Sequence, residues 1–208
     1  MTLSYISTLR TKACNILQNE FVLDDGTPIW VSSIKEPAQG LSEYELDQLR
    51  IAKEKKLCQA SCLPIALAAS KKLKVDYPDT EVKVFIGLMG GIDAEIKGNK
   101  LKDYRKDFLS LKSYSDFGKI PFHAWVEISD DQFKTSSIVD LTYSFPNPAR
   151  GSIDNFSRSE AKKRKLKHIP ILTNTEDVKS FFYYLLRTEL RSQHGLDKYF
   201  EQAVNHLD

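Results

Sequence analysis

At 208 residues the chain has the length of one domain, and its 41% apolar and 11% aromatic content supplies a core and excludes wholesale disorder. Lys and Arg number 30 against 28 Asp and Glu, so a formal charge of only +2 argues against binding nucleic acid through bulk electrostatics. Three cysteines, an odd number, argue against a secreted disulfide framework and for a reducing, cytoplasmic setting.

Met1 to Cys14 lacks a continuous apolar signal region, and the apolar run Leu63 to Ala69 is too short to span a bilayer. Ile6, Leu9, Ala13, Ile16 and Leu17 recur at helical spacing and predict a helix over Ser4 to Asn19. Phe21-Val22-Leu23 and Ile29-Trp30-Val31 flank Asp24-Asp25-Gly26, a hairpin signal. Ser42, with Glu45 three residues on, forms a capping box for a helix from Glu43 to about Lys56. After a connector, Leu57 to Cys62, Pro64 sets the start of a second helix, Leu63 to Leu73, because proline is tolerated only in a first turn.

Glu81 to Leu88 reads as a strand, Ile92 to Lys119 as a charged excursion, and Pro121 to Ile128 and Ser136 to Ser144 as two more strands. The basic stretch Ala161 to His168 precedes a short apolar run, Ile169 to Leu172, and Glu176 to Leu207 reads as two helices broken near Gly195. The whole is an α+β domain, with a core over 41–145, an N-terminal helix and hairpin over 1–40, and a basic segment and helices over 146–208.

Three residues carry the chemistry. Cys62 falls at the tip of the helix that Pro64 starts, where unpaired N–H groups and the helix dipole favour an anion, so its thiol is expected to be acidified and nucleophilic. His123, Trp125 and Glu127 share one face of their strand. A hairpin turning at Asp131-Gln132 sets His123 directly opposite Asp140, with Cβ atoms about 5 Å apart, and a one-residue slip would separate them. A thiol, an imidazole and a carboxylate that orients the imidazole are what acyl transfer through a thioester requires.

The strings Cys62-Leu-Pro-Ile-Ala-Leu-Ala, Val82-Lys-Val-Phe-Ile-Gly87, His123-Ala-Trp-Val-Glu127 and Val139-Asp-Leu-Thr142 resemble the transglutaminase-like branch of the papain-like thiol superfamily. Cys62-Leu-Pro and His123-Ala-Trp-Val-Glu127 are most similar to the leader-peptide proteases of lasso-peptide maturation. The resemblance implies a papain-like architecture, with Cys62, His123 and Asp140 as catalytic residues and a peptide or protein amide as substrate. Members of that superfamily hydrolyse peptides, cross-link or deamidate glutamine, or have lost activity. The segment Ile92 to Lys119 is longer than a compact member needs, and 1–40 and the tail after Asn147 match nothing in it.

Other signals are weaker. Cys58 is a rival nucleophile, expected in the connector, where the dipole helps less. Gln39, Gln59 or the Cys62 N–H could serve an oxyanion. Trp30 and Trp125 read as core or pocket-wall aromatics, and His194 and His206 as residues without chemistry. No cofactor is implied. A metal site on Cys58, Cys62, His123 and Asp140 is disfavoured, because there is no second cysteine pair and Pro64 opposes placing both cysteines on one helix. Lys162-Lys-Arg-Lys165, Lys167 and His168 read as a solvated face. The competing function is a non-catalytic protein that binds a protein or nucleic acid through that run.

Overall fold

The computed structural model describes residues 3–27, 40–58, 61–89, 99–111, 122–130, 135–142, 155–157, 168–190 and 195–208. Helix α1 (Leu3–Asn19) buries Ile6, Leu9, Ala13, Ile16 and Leu17, the stripe its spacing predicts. Beyond it the chain turns at Asp24 to Thr27, where Leu23 N–H donates to the Thr27 carbonyl at 2.9 Å. The second arm of the expected hairpin lies outside the described residues.

Helix α2 (Glu43–Cys58) starts with the expected capping box. Ser42 N–H donates to Glu45 Oε2 at 2.8 Å, and Glu45 N–H to Ser42 Oγ at 3.3 Å. It runs two residues past Lys56, so Cys58 ends the helix rather than lying in a connector. Arg50 and Thr11 of α1 both donate to the buried Glu54, which ties α2 to α1.

Helix α3 (Cys62–Asp76) begins one residue before Leu63 and extends past Leu73. It buries residues on every side, from Leu63 to Ser70 without a break, which marks a central helix rather than an amphipathic surface one. It lies between α1 and a five-stranded antiparallel sheet ordered β4-β3-β2-β1-β5. The strands are β1 (Glu81–Met89), β2 (His123–Asp130), β3 (Thr135–Val139), β4 (Asn155–Ser157) and β5 (His168–Leu172). Val82, Val84 and Ile86 of β1 and Ala124, Val126 and Ile128 of β2 join the core with α3.

Two parts of the chain are more integrated than expected. Within 92–119, Asn99–Leu109 forms helix α4, whose Phe108 is fully buried edge-on to Phe181, with ring centroids 5.3 Å apart. Its Arg105 also pairs with Asp177. In the tail, β5 pairs with β1, and β4 adds a strand that no local pattern announced. Helices α5 (Thr175–Leu190) and α6 (Leu196–Val204) break where expected, with Gly195 in the left-handed region at φ 91°. Phe181, Phe182, Leu185 and Leu186 are all buried.

The C-terminus is anchored. His206 Nε2 lies 2.6 Å from the buried Ser70 Oγ, and Lys179 pairs with Asp208 at 2.5 Å. Burial, then Lys74 and Lys71, push the pKa of His206 down to about 4 from 6.5. The unfolded chain therefore binds the extra proton between those values, and stability falls as pH drops through that window. The loss is expected to reach up to about 3 kcal/mol. Urea unfolding at pH 7 and pH 4.5 should show that fall in the wild type and a smaller one in His206→Leu.

Candidate active site

Cys62 is the first residue of α3, inside the N-cap Ser61, whose side chain does not cap the helix. Pro64, third in the helix, has no N–H to satisfy and suits the first turn. The thiol sits half-buried at the positive end of the central helix. Cys58 sits at the opposite kind of terminus, the negative end of α2, where the dipole opposes an anion. Beneath Cys62 is a small apolar cavity, lined by Ile65, Ala66 and Ala69 of α3 against Ala124, Val126 and Val139 of the sheet, with about 10 Å³ of free space, roughly one water.

His123 opens β2 and Asp140 follows β3. The register differs from the expected one: Val126 faces Val139 and Glu127 faces Ile138, so the hairpin is offset by two residues from a turn at Asp131-Gln132. His123 and Asp140 are thus not directly opposed. An offset of two preserves the face, however, and leaves them diagonal neighbours within reach of a long side chain. His123 Nε2 lies 2.8 Å from Asp140 Oδ2.

Asp140 is buried, with 1% of its surface exposed. Its Oδ1 accepts from the Thr142 N–H at 3.2 Å. Its Oδ2 accepts a second imidazole, His168 Nε2, at 2.9 Å. A carboxylate only accepts, so both imidazoles carry their proton on Nε2. Burial alone would raise the Asp140 pKa. The charge and hydrogen bond of His123, then the bond and charge of His168, outweigh it and hold the carboxyl far below its usual range. Burial alone would lower the His123 pKa, but the charge and hydrogen bond of Asp140, followed by the hydrogen bond and charge of Cys62, hold the imidazole well above its usual range. With Nε2 turned to Asp140, Nδ1 is the nitrogen left for the thiol.

His168 was expected in a solvated basic run, and that expectation is corrected. It starts β5, its side chain is 1% exposed, and its ring meets Trp125 edge-on at 4.9 Å between centroids. Its one local cue is that it heads the apolar run Ile169 to Leu172. Trp125 is a buried wall, as expected, and its Nε1–H donates to Glu127 at 3.0 Å. Gln39, Gln59, Trp30, His194 and Lys162 to Lys167 lie outside the described residues.

His123, Asp140 and His168 also offer three donor atoms within 4.8 Å of one another, a set that a divalent ion could use. A tetrahedral zinc with bonds of roughly 2.0–2.2 Å would hold its ligand atoms roughly 3.3–3.6 Å apart and need a fourth partner, whereas each Nε2 lies 2.8–2.9 Å from Asp140 Oδ2, at hydrogen-bond length. The three side chains form one carboxylate oxygen shared by two imidazoles. Cys62 is not among these donors.

No family model, curated protein or solved structure matches the chain. Among the described residues no helix is long and apolar enough to cross a membrane.

Proposed function

We propose that this chain is a thiol-dependent acyl-transfer enzyme with Cys62 as nucleophile, His123 as general base and acid, and Asp140 as the group that orients His123. Within that class, it is a peptidase or amidase of transglutaminase-like architecture acting on a peptide or protein amide. The observation that carries the reading is the 2.8 Å contact of His123 Nε2 with the buried Asp140 Oδ2, on an imidazole that the half-buried Cys62 thiol, first residue of the central helix, helps to hold above its usual range.

The steps follow from the geometry. His123 Nδ1 takes the thiol proton as Cys62 Sγ attacks the amide carbonyl carbon, and backbone N–H groups at the start of α3 donate to the developing oxyanion. The C–N bond breaks as His123 gives the proton on Nδ1 to the departing amine, leaving a thioester. Nδ1 then takes a proton from water, whose oxygen attacks the thioester carbonyl. The C–S bond then breaks, the acid departs, and the proton on Nδ1 returns to sulfur to restore the thiol. Throughout, Asp140 keeps the Nε2 proton fixed and balances the charge on the imidazolium.

Cys14 is buried, so a small free thiol is the fair reference for reactivity. In the wild type, iodoacetamide is expected to label Cys62 stoichiometrically and faster than that reference, with a large drop in rate in His123→Ala. Labelling no faster than the free thiol, and indifferent to His123→Ala, would reject the reading.

A further inference from the structure

The geometry points to His168 as a positioning residue of the same site: it holds Asp140 Oδ2 in place so that this oxygen can orient His123. The inference rests on the proposed thiol chemistry and extends it to a residue far along the chain. Three constraints converge on His168. Its backbone is set by pairing with β1, where Met89 faces His168 and Gly87 faces Pro170. On the other side of β1, Gly87 also faces His123, so His123 and His168 occupy the same face on either flank of one strand. The ring is then fixed by Trp125, which meets it edge-on at 4.9 Å and stacks against His123 at 6.3 Å.

Held this way, His168 presents Nε2 to the oxygen that His123 uses, at 2.9 Å and 2.8 Å respectively. A carboxylate with one oxygen between two rigid donors and the other on the Thr142 N–H has no free rotation left. Asp140 lies at the end of a strand, next to a turn, where backbone pairing alone fixes a side chain least. His168 supplies the missing restraint from a different strand. Its side chain is 1% exposed, so it acts through Asp140 rather than on a substrate.

Glutamine places an amide N–H close to where histidine places Nε2–H. Asparagine is too short, and leucine keeps the bulk without the donor. Cys62 alkylation at pH 7 is expected to slow about tenfold or more in His168→Leu and His168→Asn, and to recover substantially in His168→Gln, with each variant's Tm measured in parallel. A folded His168→Leu that alkylates at the wild-type rate overturns the role. If His168→Leu does not fold, His168→Gln and His168→Asn decide, and equal rates in those two overturn it as well.

A second readout does not depend on reactive sulfur. In ¹⁵N-histidine NMR, the His123 Nε2–H signal should move in His168→Leu and return toward its wild-type position in His168→Gln. If that signal responds while wild-type Cys62 shows no activation, the thiol-enzyme reading fails and the positioning role stands. If Cys62 is activated but neither signal nor rate responds to His168, the positioning role alone fails.

Discussion

Asp140→Ala is expected to lower folding stability by about 3–5 kcal/mol and to slow Cys62 alkylation to near the rate of His123→Ala. Removing the carboxylate leaves two imidazoles, 6.3 Å apart between ring centroids, with no anion between them, and deprives the Thr142 N–H of its acceptor. The loss exceeds that of one hydrogen bond because charge on a buried ring then goes uncompensated. Asp140→Asn should fall between the two, since it keeps an acceptor but must turn an N–H toward either the imidazoles or the Thr142 amide. A folded Asp140→Ala with wild-type stability and alkylation would remove the carboxylate from the relay.

The two pKa directions fix where on the pH scale this loss is largest. Asp140 is held below its ordinary range, so its contribution is present above the unfolded-chain value of about 3.9 and disappears as pH falls through the lower folded value. His123 is held above its ordinary range, so its contribution is complete below about 6.5 and disappears as pH rises through the higher folded value. Both act in full between about 4 and 6.5. The gap between wild type and Asp140→Ala in urea unfolding should therefore be wider at pH 5.5 than at pH 9. A gap that widens toward alkaline pH would mean that His123 is neutral in the folded protein.

Much of this arrangement is legible locally because local rules set it. Pro64 dates the start of α3 to within one residue and so puts Cys62 at its tip. The alternation His123, Trp125, Glu127 identifies the strand face that these three side chains share. The register is less secure, because it depends on loop length: the strands stop at Asp130 and resume at Thr135, not on either side of a two-residue turn. The juxtaposition of His123 with Asp140 survives only because the error is even. His168 is not legible this way. Its partners, Met89 and Asp140, are remote in sequence, and its immediate neighbours, Lys165 to Lys167, present it as part of a charged surface. Helix α4 was hidden for a related reason: Phe108 is its one fully buried side chain among charged neighbours, so it reads as solvated chain until α5 supplies the surface it packs against.

Gly87→Ala is expected to disturb fold and site together. Gly87 sits in β1 opposite His123, where the pairing with β5 shifts register between Ile86 and Gly87. A Cβ at this position would overlap the Ile169 carbonyl oxygen and lie 2.9 Å from its carbon. These are backbone atoms, so no side-chain rotation relieves the overlap, and β5 must move away from β1. The cost is expected to be about 3 kcal/mol, or roughly 6–12 °C in Tm for a chain of this size. The residue after His168 is the one struck, so the displacement pulls the His168 donor away from Asp140 as well. Cys62 alkylation should therefore slow in Gly87→Ala under conditions where circular dichroism shows the fold intact. A loss of Tm with unchanged alkylation would separate the packing of β5 from the chemistry of the thiol, and an unchanged Tm would mean that β1 and β5 are not as close at Gly87 as they stand here.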